Sequence, residues 1–253
     1  MIRISIITVV RNRVGTIGQA IESVQSQSYP HVEHVVQDGA STDGTLEIIE
    51  RLATPSTSLE SAPDGGIYEA INRGIERATG DVIGLMHSDD FYAHDAVLTH
   101  VAERLETSPA DGLYGDLDYV SSREAGRVVR RWKSGSYDRA KLSRGWMPPH
   151  PTLYLRREVY DRFGGYDTEF RIAADYEAMM RYLVRGGIAL DYLPEVMVKM
   201  RLGGESNGSL RRVVRKSRED LRAIRRHELG GVGTLALKSL RKIGQFVGPE
   251  RRA

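Results

Sequence analysis

Apolar residues in the first hundred positions follow two alternating spacings. Residues 3–10 are apolar and rich in β-branched side chains, which is typical of a buried strand. The next segment places Ile17, Ala20, Ile21 and Val24 on one face of a helix. The same alternation then predicts strands at 32–37, near Leu59 and at 82–86, and helices at 46–52, 67–78 and 96–105.

The second half of the chain is less regular. Segments 112–120 and 127–132 have the composition of strands, and no internal repeat or low-complexity run interrupts them. Strands that alternate with helices imply a sheet covered by helices. We therefore predict an α/β domain with a Rossmann-like, mostly parallel central sheet.

Acidic residues follow three of the predicted strands. Asp38, Asp64 and the pair Asp89-Asp90 each come directly after a strand or its turn. Ligands collect at this edge of an open parallel sheet, because the strands end and the helix amino termini begin there. The sequence therefore predicts that these acids lie close together.

The segment Ser88-Asp89-Asp90 indicates a metal site. Two adjacent carboxylates repel each other, and a hard divalent cation that shares their oxygens with a diphosphate relieves the repulsion. The alternative is that Ser88 and the aspartates only cap the next helix. Asp38 and Asn72 have similar structural alternatives. Asp38 could be only a turn residue, and Asn72 could only cap a helix or satisfy the hydrogen-bonding groups of a loop.

Composition supports one large domain. The chain has 253 residues, of which 40% are hydrophobic and 28% charged, so it can bury a sizeable core. It has no cysteine, which excludes disulfides and thiolate chemistry and is compatible with a reducing compartment. No secretion signal and no long uninterrupted apolar run is visible. We expect a cytoplasmic protein that does not span a membrane.

Charge is unevenly distributed along the chain. Residues 201–253 hold 14 Lys and Arg against 5 Asp and Glu, so this end carries about +9 and the remainder about −7. Helical spacing in this part indicates a basic amphipathic helix with Leu210, Val213, Val214, Ser217, Leu221 and Ile224 on one face. A second such helix is predicted to place Leu235, Leu240, Ile243 and Phe246 near basic residues. The region 208–247 could lie on an anionic membrane at its inner face, or pack on the domain.

Several motifs resemble those of family 2 glycosyltransferases. They are segments 5–13 (SIITVVRNR), 36–45 (VQDGASTDGT), 64–74 (DGGIYEAINRG), Gly80-Asp81 and Ser88-Asp89-Asp90. The last three, from 64–74 to Ser88-Asp89-Asp90, together resemble in particular the branch that builds bacterial O-antigen and exopolysaccharide. Segments 149–152 (PHPT), 163–167 (FGGYD) and 173–177 (AADYE) resemble the acceptor half of that branch, so the similarity extends to about residue 206.

The resemblance implies a metal-dependent, inverting transfer of a sugar from a nucleotide-sugar, preferably a UDP-sugar, on a single GT-A domain. It implies that Asp90 contacts Mg²⁺ or Mn²⁺ and that Asp89 contacts the ribose or a water ligand. The expected acceptor is a lipid-linked sugar or another saccharide. The implied division is a catalytic domain at 1–206, with a donor half at 1–110 and an acceptor half at 111–206, and a basic helical tail at 207–253. The donor site would comprise Thr8, Asn12, Asp38, Asp64, Asn72, Ser88, Asp89 and Asp90.

Asp175 is the candidate catalytic base. Inversion needs a base that takes the proton of the acceptor hydroxyl as it attacks. The family places this acid in an acidic pair at a helix start, and here Ala174 precedes Asp175, so Glu177 is a second candidate. His150, Glu177 and Arg201 are assigned to the acceptor or a phosphate, although His150 could equally be a structural loop residue.

Three rival functions need consideration. Residues 231–236 match a dinucleotide-binding pattern, but they follow a charged helical segment instead of a strand, which argues against a dehydrogenase. A nucleotidyltransferase or a non-catalytic protein that binds sugar nucleotides stays as the alternative. No nucleic-acid motif accompanies the basic end, so we do not expect nucleic acid as a partner.

Overall fold

The computed structural model describes residues 1–122, 126–202 and 210–241. Within these ranges the chain forms one nine-stranded sheet. The strands are Ile4–Val10 (β1), Val32–Asp38 (β2), Thr57–Ser61 (β3), Val82–Leu85 (β4), Phe91–Tyr92 (β5), Gly112–Val120 (β6), Val128–Trp132 (β7), Tyr154–Arg156 (β8) and Leu190–Arg201 (β9). The α-helices are Ile17–Gln25 (α1), Thr45–Leu52 (α2), Ile67–Arg77 (α3), Val97–Thr107 (α4), Arg157–Phe163 (α5), Ala174–Met180 (α6), Leu210–Arg226 (α7) and Val232–Arg241 (α8).

The prediction of a mostly parallel sheet is wrong, because the sheet is mixed. Its order is β3-β2-β1-β4-β8-β6-β9-β5, with β7 paired to β6. β1 to β4 are parallel to one another. β8 then pairs antiparallel with both β4 and β6. This short strand joins two groups of parallel strands, and it has no periodic pattern of its own that could have predicted the reversal.

The elements predicted for the first half of the chain are confirmed. The observed bounds of β1, α1, β2, α2 and α3 differ from the predicted ones by one or two residues at most. The two later strands β6 and β7 are also where their composition placed them. Strands β5, β8 and β9 are not predicted by the sequence, because they are short or carry Pro and charged residues.

Strand β1 lies between two layers of the core. All seven of its residues are buried. Ile4 and Ile6 pack in one hydrophobic cluster with residues of α1 and α4, whereas Ile7 and Val9 pack in another with residues of α3 and α6. This division follows from the two-residue period of a strand, which sends alternate side chains to opposite faces.

Helix α3 approaches β1 closely at Gly74. A Cβ atom on Gly74 would lie 2.5 Å from Cγ2 of Ile7, so a larger residue would push the helix away from the strand. The close contact places the amino end of α3 at the edge of the sheet where β1 and β4 end.

Helix α7, predicted to be amphipathic, packs part of its apolar side on the domain, which is one of the two predicted alternatives. In α7, Ala223 and Ile224 are fully buried in the core cluster that also contains residues of α6. Val213 and Val214, nearer the start of α7, are each 50% exposed. The apolar residues therefore do not form one continuous lipid-facing surface, because the second half of α7 uses its apolar side to pack on the domain. Residues 242–253, with Ile243 and Phe246, lie outside the described residues.

Among the described residues, no helix combines the length and the apolar content that crossing a bilayer requires.

Packing of α7 on the domain can be tested by shortening its buried side chain. We expect Ile224→Ala to lower the free energy of unfolding by about 2–4 kcal/mol, since it removes a fully buried side chain and leaves a cavity. Val214→Ala, at a half-exposed position of the same helix, should cost no more than about 0.5 kcal/mol. Urea denaturation measures both, and equal small losses would show that α7 does not contribute to the core.

Candidate functional site

The ends of β1, β4 and β9 border one cleft of about 530 Å³. The turn before α3, the loop before α6 and the first turns of α7 complete its walls. This volume is in the range of sites that bind small molecules. The predicted acids meet here in part, since Asp64, Asp89 and Asp90 line the cleft together with Ser88.

The Ser88-Asp89-Asp90 segment is held in place by the end of β9. The backbone N–H of Arg201 donates to Oδ1 of Asp90 at 3.0 Å. The guanidinium of Arg201 donates to the carbonyl oxygen of Asp89 at 2.5 Å and to the side chain of Gln19. It also lies over the ring of Phe91, 5.0 Å from the centroid. Arg201, predicted to contact the acceptor or a phosphate, thus lines the cleft and at the same time orients the two aspartates.

Asp90 has an environment that suits a metal ligand. Asp90 is 1% exposed, and its Oδ2 atom is buried without a hydrogen-bond partner in the described part of the chain. Burial, and after it the charge of Asp89, raises the pKa of Asp90 well above its ordinary value. A buried carboxylate oxygen beside a second carboxylate is costly unless a cation neutralises both. The residues therefore fit Mg²⁺ or Mn²⁺, which take oxygen ligands.

Asp64 faces the cleft from the turn before α3. Its Oδ1 accepts a hydrogen bond from the N–H of Gly66 at 2.9 Å. A Cβ atom on Gly39 would lie 2.6 Å from Oδ2 of Asp64, so the glycine lets the turn after β2 come close to this carboxylate.

Asp38 does not line the cleft. It is fully buried, and its carboxylate accepts hydrogen bonds from the hydroxyls of Ser41 at 2.5 Å and Ser61 at 2.6 Å. The backbone N–H of Ser41 also donates to it, at 3.0 Å. These contacts hold the turn that follows β2 and the end of β3 to Asp38.

Asn12 and Thr8 have local partners too. Oδ1 of Asn12 accepts from the N–H of Thr42 at 2.8 Å, and the N–H of Asn12 donates to Ser41 at 2.8 Å. Asn12 has a positive φ of 52°, which asparagine tolerates better than most residues. Thr8 is buried within β1, where its hydroxyl lies 2.9 Å from Nε2 of His34. Both residues shape the ends of β1 and β2.

Asn72 joins two distant parts of the chain. Its amide donates to the carbonyl oxygen of Tyr166 at 2.8 Å, and its Oδ1 accepts from the N–H of Tyr166 at 2.7 Å. The structure therefore places Asn72 away from the cleft, where it satisfies the backbone of the loop before α6.

Asp175 lies at the start of α6 and is partly buried. The hydroxyl of Tyr68, a residue of the cleft wall, lies 3.3 Å from Oδ1 of Asp175 and also donates to the carbonyl of Ile172 at 2.8 Å. Burial raises the pKa of Asp175, but the positive charges of Lys216 and Lys238 contribute to outweighing it, so the pKa lies below its ordinary value. Asp175 is therefore an ionised carboxylate at neutral pH, next to the cleft wall.

His150 and Glu177 are both buried, and their hydrogen-bond partners differ. His150 is buried, its Nε2 lies 2.8 Å from the hydroxyl of Tyr166, and burial lowers its pKa to about 4. Glu177 is 1% exposed. Burial raises its pKa, but the contacts with His227 and Arg181 outweigh burial and lower the pKa to about 2. The structure does not bring Glu177 to the cleft, so Asp175 is the better placed of the two candidate bases.

Arginines are the part of the site that the sequence analysis missed. Together with Arg201, five more face the cleft: Arg11, Arg13, Arg171, Arg212 and Arg215. Arg11 and Arg13 follow β1 and could have been inferred from their position in the first motif. Arg212 and Arg215 come from α7 and gave no local signal. A lining that contains both guanidinium groups and aspartates suits a ligand that carries both anionic groups and a metal.

The family described as Glycosyl transferase family 2 matches residues 5–166. A PGL/p-HBAD biosynthesis glycosyltransferase of Mycobacterium bovis is 29% identical over 209 residues, which is 80% of this chain and 78% of that protein.

Two solved structures resemble this chain in fold. Residues 1–349 of TarS from S. aureus, in complex with UDP-GlcNAc, superpose with a TM-score of 0.68 at 19% identity, covering 89% of this chain and 65% of that one. A mannosyltransferase of Pyrobaculum calidifontis, in complex with GDP-Man and Mn²⁺, gives a TM-score of 0.66 at 19% identity, over 95% and 69% of the two chains. At this identity the likeness shows the fold.

Proposed function

The chain belongs to glycosyl transferase family 2 and is a glycosyltransferase with a GT-A fold, and we propose that it transfers a sugar from a UDP-sugar to a hydroxyl acceptor with inversion. Family membership favours this enzyme over the alternatives of a nucleotidyltransferase and a non-catalytic binding protein. The observation that carries the proposal is the cleft, whose lining combines Asp64, Asp89 and Asp90 with six arginines.

Asp90 and Asp89 are the proposed metal ligands. Oδ2 of Asp90 is buried and lacks a partner in the described chain, which supports this role. Bound there, Mg²⁺ or Mn²⁺ would offset the charge that develops on the departing diphosphate. Arg11, Arg13 and Arg201 lie where they can contact the diphosphate oxygens.

The residues predicted for the donor site divide into two groups. Ser88, Asp64, Asp89 and Asp90 line the cleft, and we propose that they contact the donor directly. Thr8, Asn12, Asp38 and Asn72 engage neighbouring residues, and we propose that they act by shaping the loops around the donor.

Asp175 is the proposed base. In the transfer, the acceptor oxygen forms a bond to the anomeric carbon of the sugar while the bond from that carbon to the diphosphate oxygen breaks. The proton of the acceptor hydroxyl passes to the carboxylate of Asp175, and UDP leaves with the bonding electrons. In this proposal Asp175 belongs to the acceptor half (111–206) and the metal ligands to the donor half (1–110) of the domain at 1–206. Helix α7, from the predicted tail at 207–253, packs in the same core.

Metal-dependent binding of UDP is the first expected result. Calorimetric titration should show that Mn²⁺ raises the affinity for UDP at least about tenfold, because the cation links the diphosphate to Asp90. Asp90→Ala should abolish this gain, whereas Asp95→Ala, at an exposed position five residues away, should keep it. A parallel titration with GDP tests the choice of nucleotide. Equal affinities with and without Mn²⁺ would contradict the metal site.

Removal of the base should separate turnover from binding. We expect Asp175→Asn to lower the release of UDP from UDP-N-acetylglucosamine, with water as the probe acceptor, about 100-fold or more. Affinity for UDP and Mn²⁺ should stay within about twofold, since Asp175 does not contact the diphosphate in this proposal. Asp161→Asn, on the exposed face of α5, is the matched control. An Asp175→Asn protein with unchanged turnover would remove Asp175 from the mechanism.

A contact with an anionic membrane is the proposed way of reaching a lipid-linked acceptor. Arginines at positions 211, 215, 218, 222 and 225 of α7 follow the spacing of one helix face, and all five are exposed. Arg215 also lines the cleft, so the basic face continues into the site. Because the apolar residues Ala223 and Ile224 are buried, the proposed contact with lipid headgroups is electrostatic.

Vesicle sedimentation tests this contact. We expect binding to vesicles that contain phosphatidylglycerol and little binding to pure phosphatidylcholine, with a strong decrease at high salt. Replacing Arg211, Arg218 and Arg225 together by Gln should weaken binding about 100-fold, at about 1 kcal/mol per charge. The control replaces the exposed Arg51, Lys133 and Arg162 by Gln. Equal effects of the two triple variants would argue against a specific membrane face.

A further inference from the structure

Helix α7 contacts the backbone immediately before α6. Oε2 of Glu219 accepts hydrogen bonds from the N–H groups of Ile172 at 2.8 Å and Ala173 at 2.9 Å. Ala173 is the N-cap residue of α6, and its own side chain cannot cap the helix. Backbone N–H groups at the start of a helix need partners from outside the helix. Glu219 supplies a partner for the two N–H groups that directly precede α6.

Helix α7 also holds the middle of α6. Oε1 of Glu177 lies 3.1 Å from Nε2 of His227 and 3.4 Å from Nη1 of Arg226. Arg226 donates in addition to Asp167 at 2.6 Å, and so reaches the loop that leads into α6. Asp175 lies between the two contact regions, at residues 172–173 and at residue 177.

A buried pair between α7 and α8 supports the same arrangement. Nζ of Lys238 donates to Asp220 at 2.7 Å, and both residues are buried. The Lys238 ammonium lies 3.2 Å from the centroid of the Tyr176 ring, which is the residue after Asp175. The ion pair therefore joins α8 to α7, and the contact of Lys238 with Tyr176 joins α8 to α6.

Ile172 connects these contacts to the cleft. It is part of the cleft wall, and its carbonyl accepts from Tyr68, which also bonds to Asp175. A shift of the backbone at residues 172–173 would therefore move Asp175 relative to the cleft. Misplacement of a reacting group by about 1 Å can reduce a rate about 100-fold.

We propose that α7 positions the acceptor side of the catalytic site and that Glu219 is its positioning residue. Through the two N–H groups of Ile172 and Ala173, Glu219 fixes the direction in which α6 presents Asp175. The role of Asp175 as the base is taken from the proposed function, whereas the coupling of Glu219 to residues 172–173 stands on the hydrogen bonds alone. Glu219 does not contact the donor or the reacting atoms and acts through Asp175.

Hydrogen–deuterium exchange tests the coupling without an assay of activity. In Glu219→Ala, a peptide that covers residues 165–177 should exchange at least about fivefold faster, because two N–H groups lose their acceptor. Peptides from β1 to β4 should be unchanged. Glu219→Gln keeps a carbonyl oxygen that can accept, and should exchange at close to the original rate. Unchanged exchange of residues 165–177 in Glu219→Ala would overturn the proposal.

Kinetics test the consequence for catalysis. Release of UDP from UDP-N-acetylglucosamine should show a kcat about 10- to 100-fold lower in Glu219→Ala, with the KM for the donor within twofold. Glu219→Gln should recover most of the kcat. Glu50→Ala, at an exposed glutamate of α2, is the control and should match the original protein. A kcat that does not change in Glu219→Ala, or a KM that rises as much as kcat falls, would overturn the positioning role.

The Asp175→Asn variant separates the two proposals. If Asp175→Asn leaves UDP release unchanged, the assignment of the base fails, and the catalytic role of Glu219 fails with it, whatever the exchange experiment shows. If Asp175→Asn lowers UDP release and Glu219→Ala does not, the base assignment holds and the positioning role of Glu219 is wrong.

Discussion

Burial of the Asp90 carboxylate, next to the partly buried Asp89 in the turn after β4, is the constraint on which the cleft depends. Asp90 lies next to Asp89 and is almost completely removed from water. The end of β9 stabilises this arrangement through Arg201, whose backbone N–H and guanidinium reach both aspartates. One oxygen of Asp90 is buried without a partner in the described chain. A buried carboxylate oxygen without a hydrogen-bond partner is unfavourable, so a cation or another ligand is expected to bind to it.

The cleft combines residues from three parts of the chain. The turns after β1, β3 and β4 contribute the aspartates and two arginines, and the loop before α6 contributes Arg171 and Ile172. Helix α7 closes the cleft with Arg212 and Arg215. Basic residues of the carboxyl-terminal region therefore line the cleft, in addition to forming an exposed face that can attract an anionic partner.

The polar residues of the motifs have two different tasks. Asp64, Asp89 and Asp90 face the cleft, whereas Asp38, Asn12 and Asn72 hold loops through hydrogen bonds to nearby residues and backbone. Both groups are polar, and both follow strands or begin helices. Their positions in the sequence do not distinguish a residue that contacts a ligand from one that builds the loop around it.

Local periodicity is sufficient to predict the first six elements of the fold and the strands β6 and β7, because strand and helix spacing depends on neighbouring residues. It also predicts the edge of the sheet at which Asp64, Asp89 and Asp90 meet. The resemblance to family 2 glycosyltransferases also came from short motifs. The mixed sheet, the buried apolar side of α7 and the partners of Asp38 depended on tertiary structure. Each arises from a contact between residues far apart in the chain: β8 with β4 and β6, Ile224 with the core near α6, and Asp38 with Ser61. Such contacts are decided by packing and by hydrogen bonding in the folded chain, and no pattern within a single segment encodes them.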